Sequence, residues 1–242
     1  MVLEVDEETK EALREALKDM VNTVECLVFT SNEPECEYCQ TTLDLCELLK
    51  ETSNGKIVVK VFWKERDKEA FQKYYVSRVP SVLLYNGYIR YTGIPAGEEV
   101  RGLVETIIRI STNDSGLNPQ TIAELKTKLK GKAYVEVIVT PTCPYCPYAV
   151  LEANMFAFAS EGKVIADTVE ALENSDIADL YGVTAVPTVA INGNVEFIGV
   201  PREDMLLKAI LRFQREDIKL PFHPEKIGYH RHYHRGFGYE EF

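Results

Sequence analysis

The chain has 242 residues, 45% hydrophobic and 27% charged, with a formal net charge of −11 at pH 7, a composition that suits packed globular units and excludes collagen-like or extensively disordered chains. The acidic balance, without a stripe of Lys and Arg, argues against nucleic acid as a partner, because phosphate backbones are held by clustered cations. No run approaches the roughly 18 apolar residues of a membrane span, and Met1–Met20 is acidic and amphipathic, unlike an export leader, so no membrane association and a cytoplasmic location are expected.

Apolar residues at helical spacing over Asp6–Met20 predict a first helix, and an apolar strand, Val24–Thr30, follows. Cys36-Glu37-Tyr38-Cys39 then opens a second helix. A strand at Ile57–Phe62, a helix ending near Tyr74 and the pair Val79-Pro80 come next. Ser81–Tyr85 and Tyr88–Tyr91 flank Asn86-Gly87, whose residues adopt positive φ readily, so a β-hairpin is predicted there. A helix over Glu98–Ile110 closes the series, and the polar, turn-rich stretch Ser111–Gly116 marks a boundary.

The series then begins again. A helix over Pro119–Leu129, with Asn118 as its N-cap, precedes a strand at Ala133–Thr140 and the second motif, Cys143-Pro144-Tyr145-Cys146. A strand at Val164–Asp167, a helix ending near Tyr181, Pro187, a hairpin of Thr188–Ile191 with Asn194–Phe197 about Asn192-Gly193, and a helix over Glu203–Gln214 complete it. The two motifs lie 107 positions apart, and Tyr74, Val76, Val79 and Pro80 recur as Tyr181, Val183, Val186 and Pro187 at that same offset. Such order identifies an internal duplication. The predicted organisation is two α/β units, 1–116 and 117–218, with a tail, 219–242.

Four of the six cysteines fall in the two Cys-x-x-Cys pairs. A thiolate is the nucleophile of disulfide exchange, and a helix N-terminus stabilises that anion through unpaired N–H groups and the helix dipole. Two intervening residues bring a second sulfur within bonding reach. Cys36 and Cys143 are therefore the candidate attacking thiols and Cys39 and Cys146 the resolving ones; a shared four-cysteine zinc site and inert structural disulfides are the alternatives. Glu33, Glu35 and Glu37 crowd Cys36, which should raise its thiol pKa relative to Cys143, whose motif holds no acid between Thr140 and Val150. If Cys143 is the helix N-cap, Pro147 removes a first helical hydrogen bond beside the sulfur.

The order β-α-β-α-β-β-α with the Cys pair at the first strand-to-helix junction resembles the thioredoxin pattern, and Tyr181-Gly182-Val183-Thr184-Ala185-Val186-Pro187-Thr188 is similar to the thioredoxin segment that ends in a cis-proline. Cys143-Pro144-Tyr145-Cys146 is also the glutaredoxin signature, and two complete units in one chain resemble the protein disulfide oxidoreductases of thermophilic archaea and bacteria. The resemblance implies two tandem thioredoxin folds, each a mixed central sheet flanked by helices. It implies an enzyme that reduces, forms or isomerises protein disulfides. Val79, Pro80, Val186 and Pro187 are then the substrate-binding backbone beside the cysteines. No flavin or nicotinamide fingerprint is present, so no cofactor is expected, and a thioredoxin-reductase-like donor is the implied partner. Thioredoxins carry a buried acid six positions before the first cysteine; here position 137 is Val, with Glu136 on the opposite strand face, and an insertion of three residues places Leu27 at the corresponding point of the first unit. Two other functions fit the same double fold: a dedicated electron relay to a peroxidase-type client, like the module of flavoprotein hydroperoxide reductases that keeps one complete Cys pair, and a non-catalytic peptide-holding module.

Cys26 and Cys46 read as small buried hydrophobes, with a third disulfide as the alternative. Tyr38 and Tyr145 are candidates to cover the sulfurs. All four histidines fall in the tail, where His230, His232 and His234 alternate, yet no carboxylate or Cys is placed to complete a metal site. The pattern leaves the oligomeric state open.

Overall fold

A computed structural model describes residues 5–216 and 218; the tail and its histidines lie outside the described residues. The first unit runs α1 (Glu7–Leu17), β1 (Val24–Thr30), α2 (Cys39–Thr52), β2 (Ile57–Trp63), α3 (Lys68–Lys73), β3 (Ser81–Leu84), β4 (Ile89–Thr92) and α4 (Glu99–Thr112). The second repeats it as α5 (Pro119–Lys128), β5 (Ala133–Val139), α6 (Cys146–Ala159), β6 (Val164–Glu170), α7 (Ser175–Leu180), β7 (Thr188–Ile191), β8 (Asn194–Ile198) and α8 (Glu203–Phe213). Asp6 caps α1 by accepting the Thr9 N–H at 2.8 Å, satisfying one of the helix's orphan donors. Asn118 makes no such side-chain cap; its own N–H instead donates to Glu203.

The two four-stranded sheets are fused. Strand order is β2-β1-β3-β4-β6-β5-β7-β8, and the join is a parallel pairing of β4 with β6 that aligns Tyr91 with Thr168. The join explains why β6 is buried along its whole length while its counterpart β2, left at an outer edge, is not. It also carries β6 three residues beyond the predicted end at Asp167, since Thr168 and Val169 find partners on both sides.

One face of this sheet holds a single apolar core drawn from both units, including Val28, Cys46, Leu49, Leu103 and Ile107 from the first and Val137, Val150, Phe156 and Ile210 from the second. The opposite face differs between the repeats. In the first unit Leu27, Phe29 and Leu83 pack with Phe62, Phe71 and Tyr74 of the α3 side. In the second, Glu136 occupies the position equivalent to Leu27 and accepts a hydrogen bond from the Tyr181 hydroxyl.

Register corrects two sequence expectations. Val24 pairs with Ile57 and Ala133 with Val164, so Val28, not Leu27, corresponds to Val137, and the first unit's insertion is two residues rather than three. The two additional residues lie between the end of β1 and a turn that the Cys36 N–H closes on the Glu33 carbonyl, a turn repeated in the second unit by the Cys143 N–H on the Thr140 carbonyl. The hairpins also differ from one another. Asn192-Gly193 is a two-residue turn with Ile191 opposite Asn194, whereas Tyr85, Asn86 and Gly87 all have positive φ in a 3₁₀ turn and Leu84 pairs with Ile89. The predicted strand ends at Tyr85 and Tyr88 therefore belong to the turn. A bulge between Val189 and Ala190 returns one of the two residues saved by the shorter turn. Finally, α4 runs to Thr112 and ends on left-handed Asn113, so Ser111 is helical and the link between units begins two residues later than its composition suggested.

Candidate active sites

Each motif occupies a strand-to-helix junction at the same end of the sheet. In the first, Cys36 is bonded to Cys39, with Cα atoms 5.4 Å apart; in the second, Cys143 is bonded to Cys146 at 5.5 Å. Both pairs close within their own unit. The helices proper begin at Cys39 and Cys146, with Tyr38 and Tyr145 at the N-caps, so Cys36 and Cys143 stand one turn ahead of them. Pro147 is consequently the second helical residue, where an N–H has no intrahelical partner; it removes no helical hydrogen bond, contrary to the reading with Cys143 as N-cap.

The prolines are placed beside the sulfurs. Val79–Pro80 and Val186–Pro187 are both cis, and the Cys143 Sγ lies 3.7 Å from the Val186 carbonyl oxygen. The Pro80 carbonyl accepts the Gly93 N–H at 2.9 Å and the Pro187 carbonyl the Gly199 N–H at 2.7 Å, tying each proline loop to the strand that follows its hairpin. Gly93 has φ +98°, and a Cβ there would meet the Glu170 Cβ at 2.7 Å, so conformation and space both require glycine.

The electrostatic surroundings of the two sites are unlike. Cys36 is half-buried and opens onto a groove of about 540 Å³ lined by Glu35, Glu37, Val79, Pro80, Glu170 and Glu173 among others. Burial pushes the Glu173 carboxyl up to about 7, against the lowering effect of the Ile94 N–H that it accepts at 2.6 Å. Glu33 does not add free charge to this rim, because its carboxylate pairs with Lys64 at 2.6 Å. Cys143 is only 7% exposed, less accessible than an attacking sulfur is expected to be, and its sulfur accepts the Cys146 N–H at 3.1 Å. The Cys39 and Cys146 sulfurs are buried; that of Cys39 accepts the Ser31 N–H at 3.2 Å.

Both sites are built across the unit boundary, which nothing in the repeat had indicated. Arg78, next to Val79, forms an ion pair with Asp176 and reaches Asn174 of the second unit at 3.3 Å. Conversely, the start of α4 clasps the second motif: the Glu98 N–H donates to the Pro141 carbonyl at 2.9 Å, and the Arg101 guanidinium reaches the Pro144 carbonyl and lies over the Tyr148 ring. Tyr38, 37% exposed, lines the same groove as Cys36, and Tyr145 is 66% exposed. Cys26 and Cys46 are free and fully buried, and burial pushes the Cys26 thiol up to about 12, which makes them packing residues. Among the described residues no group of three or more His, Cys, Asp or Glu is arranged to hold a metal ion. No helix among them is long and apolar enough to cross a membrane.

Residues 24–105 and 133–211 each match the thioredoxin domain family. Among solved structures, a protein disulfide oxidoreductase from Aeropyrum pernix is 46% identical, with a TM-score of 0.83 over 87% of this chain and 94% of that one. A thioredoxin of Methanocaldococcus jannaschii is 39% identical over 79 residues, spanning 33% of this chain and 93% of its own length. An alkylhydroperoxide reductase of Enterococcus faecalis shares the fold at 23% identity, with a TM-score of 0.72 over 85% of this chain and 99% of that one. With both halves matched and each Cys-x-x-Cys pair set beside a proline loop, the chain belongs to the thioredoxin-domain family and carries two tandem copies of its fold.

Proposed function

We propose that this protein exchanges dithiols and disulfides with protein substrates at two sites, reducing, forming or isomerising their disulfides. Cys36 and Cys143 attack or are attacked, Cys39 and Cys146 resolve, and the backbone of Val79-Pro80 and Val186-Pro187 holds the substrate chain. In the reducing direction the attacking thiolate opens the substrate disulfide to a mixed disulfide and one substrate thiolate leaves. The resolving thiol then loses its proton, closes the Cys-x-x-Cys disulfide and releases the second substrate thiolate, so two electrons pass to the substrate. The observation that carries this reading is the coincidence, twice in one chain, of a closable Cys pair and an adjoining proline loop, with 3.7 Å between the Cys143 sulfur and the Val186 carbonyl. The 46% identity to a protein disulfide oxidoreductase supports the same activity.

The oxidised pairs are re-reduced by a thioredoxin-reductase-like donor in the cytoplasm, where Cys-x-x-Cys pairs serve catalysis more often than structure. The functional units are 1–116 and 117–218, with 219–242 a tail of which Tyr229–Phe242 is dispensable for exchange. A relay serving one peroxide-reducing client is the second reading, favoured by the fold shared with an alkylhydroperoxide reductase. Insulin reduction driven by a dithiol, run beside refolding of a scrambled disulfide protein, separates the two. Turnover in both supports the broad activity; turnover in neither refutes it.

A further inference from the structure

The groove at Cys36 has a wall that the repeat does not supply. Because β4 pairs in parallel with β6, Thr92 lies beside Val169, and the residues that leave the two strands run on together. The Asn174 side-chain amide donates to the Thr92 carbonyl at 3.3 Å, and Glu173 accepts the Ile94 N–H at 2.6 Å. Glu170, Leu172 and Glu173 of the second unit thus line one groove with Cys36, Pro80 and the flanking Glu35 and Glu37 of the first. The second site has no such wall. There β8 ends the sheet, and Val200, which matches the buried Ile94 in the repeated Gly-x-Pro step, is 43% exposed. Among the described residues the lining of the groove holds four carboxyl groups and neither Lys nor Arg, and Lys64 nearby is taken by Glu33 at 2.6 Å. The acids act on one another. Burial, with Glu170 and Glu37 adding to it, pushes the Glu173 carboxyl up to about 7, and Glu37, burial, Glu173 and Glu170 together push the Tyr38 phenol up. Like charges gathered without a cation oppose each other's ionisation, and a cation arriving on a substrate removes that opposition.

We propose that the Cys36 site selects protein disulfides with Lys or Arg beside the reacting cysteine, and that Glu170 and Glu173 of the second unit, with Glu35 and Glu37, form the subsite for that cation. The proposal deepens the exchange reading and rests on it: the disulfide and the proline loop fix where a substrate lies, and the acids decide which substrate is preferred. Leu172, 74% exposed in the same groove, offers apolar surface to the aliphatic stem of Lys or Arg while the carboxylates take the charged head. A metal ion fits less well, because among the described residues no group of three or more His, Cys, Asp or Glu is arranged to hold one. Cys143 has no counterpart to this subsite. Its motif carries no acid, the Arg101 guanidinium reaches the Pro144 carbonyl, and Tyr145 and Tyr148 are exposed beside it. The two sites therefore divide their substrates by charge, the first taking cationic segments and the second showing no such preference.

Two full-length chains separate the sites, one with Cys143→Ser and Cys146→Ser, the other with Cys36→Ser and Cys39→Ser. Each is reduced and mixed at about pH 8 with disulfide-bonded peptides that differ only in the residue beside each cysteine, Lys, Gln or Glu, and the release of peptide thiol is timed. Dividing each rate by that of dithiothreitol on the same peptide removes the neighbour's effect on the disulfide itself. The Cys36 chain should prefer the Lys peptide to the Glu peptide about ten-fold or more at about 10 mM salt, and the Cys143 chain should show no comparable preference. Glu173→Gln, which keeps an acceptor for the Ile94 N–H, should cut the preference about three-fold. Adding Glu37→Gln should cut it further, and because the preference is a ratio, changes in the reactivity of Cys36 cancel. In the Cys36 chain without these substitutions it should nearly vanish at about 1 M salt. Equal preference in the two chains overturns the proposal, since steering by the net charge of −11 acts on both. So does a preference at Cys36 that Glu173→Gln leaves unchanged, or one that persists undiminished at high salt. If neither chain reduces any peptide, the exchange reading fails and this proposal falls with it.

Discussion

The rim charge at Cys36 makes a prediction whose size can be worked out. Glu35 and Glu37 flank the cysteine and line its groove, which puts each carboxylate on the order of 7 Å from the sulfur by residue spacing. In a water-like dielectric each then opposes the thiolate by about 0.6 kcal/mol, or roughly 0.4 pKa unit. Glu33 is neutralised by Lys64 at 2.6 Å and adds little. The double substitution Glu35→Gln, Glu37→Gln should therefore lower the Cys36 thiol pKa by about 0.8 unit in 10 mM salt, which raises the thiolate fraction at pH 7 about six-fold. Because the Debye length falls to roughly 3 Å at 1 M, the difference should nearly vanish there. Iodoacetamide modification against pH, in a chain with Cys143 and Cys146 changed to Ser, reads the pKa directly. The double substitution Glu33→Gln, Lys64→Gln, which removes a neutral pair, serves as the control and should leave it unshifted. A double variant that titrates with the parent at low salt refutes the electrostatic reasoning. Cys143, with no acid beside it and the Cys146 N–H on its sulfur at 3.1 Å, should titrate below Cys36. That order has to be read from pKa and not from absolute rate, because Cys143 is only 7% exposed.

Removing Arg78 breaks the link from the first proline loop to Asp176 and Asn174. Arg78→Ala should destabilise by about 1 kcal/mol in chemical unfolding and slow turnover at Cys36 while sparing Cys143. Arg78 holds the Asp176 carboxyl below its ordinary range, so the pair's contribution is present above the unfolded pKa and lost as pH falls through the lower folded one. Parent and Asp176→Asn melting temperatures should accordingly converge in strong acid. Burial pushes Glu136 up to about 8; its contribution is complete below the unfolded carboxylate pKa and lost as pH rises towards 8, so Glu136→Gln should gain stability relative to the parent between pH 5 and 8. A Cβ on Gly97, at φ +61°, would lie 2.3 Å from the Pro141 carbonyl oxygen. Gly97→Ala should therefore cost about 2 kcal/mol or more and impair the second site more than the first, measured by thermal melts and single-site turnover.

The architecture was legible because the duplication is written in residues with fixed structural duties: two Cys pairs and two Val-Pro steps at one spacing, and two Asn-Gly turns one residue short of it. Helix and strand periodicity placed the elements between them, and misses at their ends have local causes. Tyr85 entered the turn because it too takes positive φ, and β6 lengthened because β4 pairs with its free side. The fusion of the sheets was not legible, since β4 and β6 each read as an ordinary strand and pairing across units leaves no local signature. For the same reason Arg78 and Gly97 carried no signal: their importance comes from residues of the other unit. Alternation did identify Glu136 as facing away from the cysteines, but counting back from Cys36 misnamed the counterpart of Val137, because the two inserted residues lie between β1 and the motif and register alone shows Val28 opposite Val61 and Val82.

The central claim, that both Cys pairs are exchange sites, is tested most directly by one turnover series. Dithiol-driven insulin reduction should be compared for the parent, the chain keeping only Cys36 and Cys39, the chain keeping only Cys143 and Cys146, and the chain with all four replaced by Ser. The account predicts measurable turnover in each single-site chain and none in the four-serine chain. Activity that survives loss of all four cysteines, or a folded single-site chain that shows none, would contradict it.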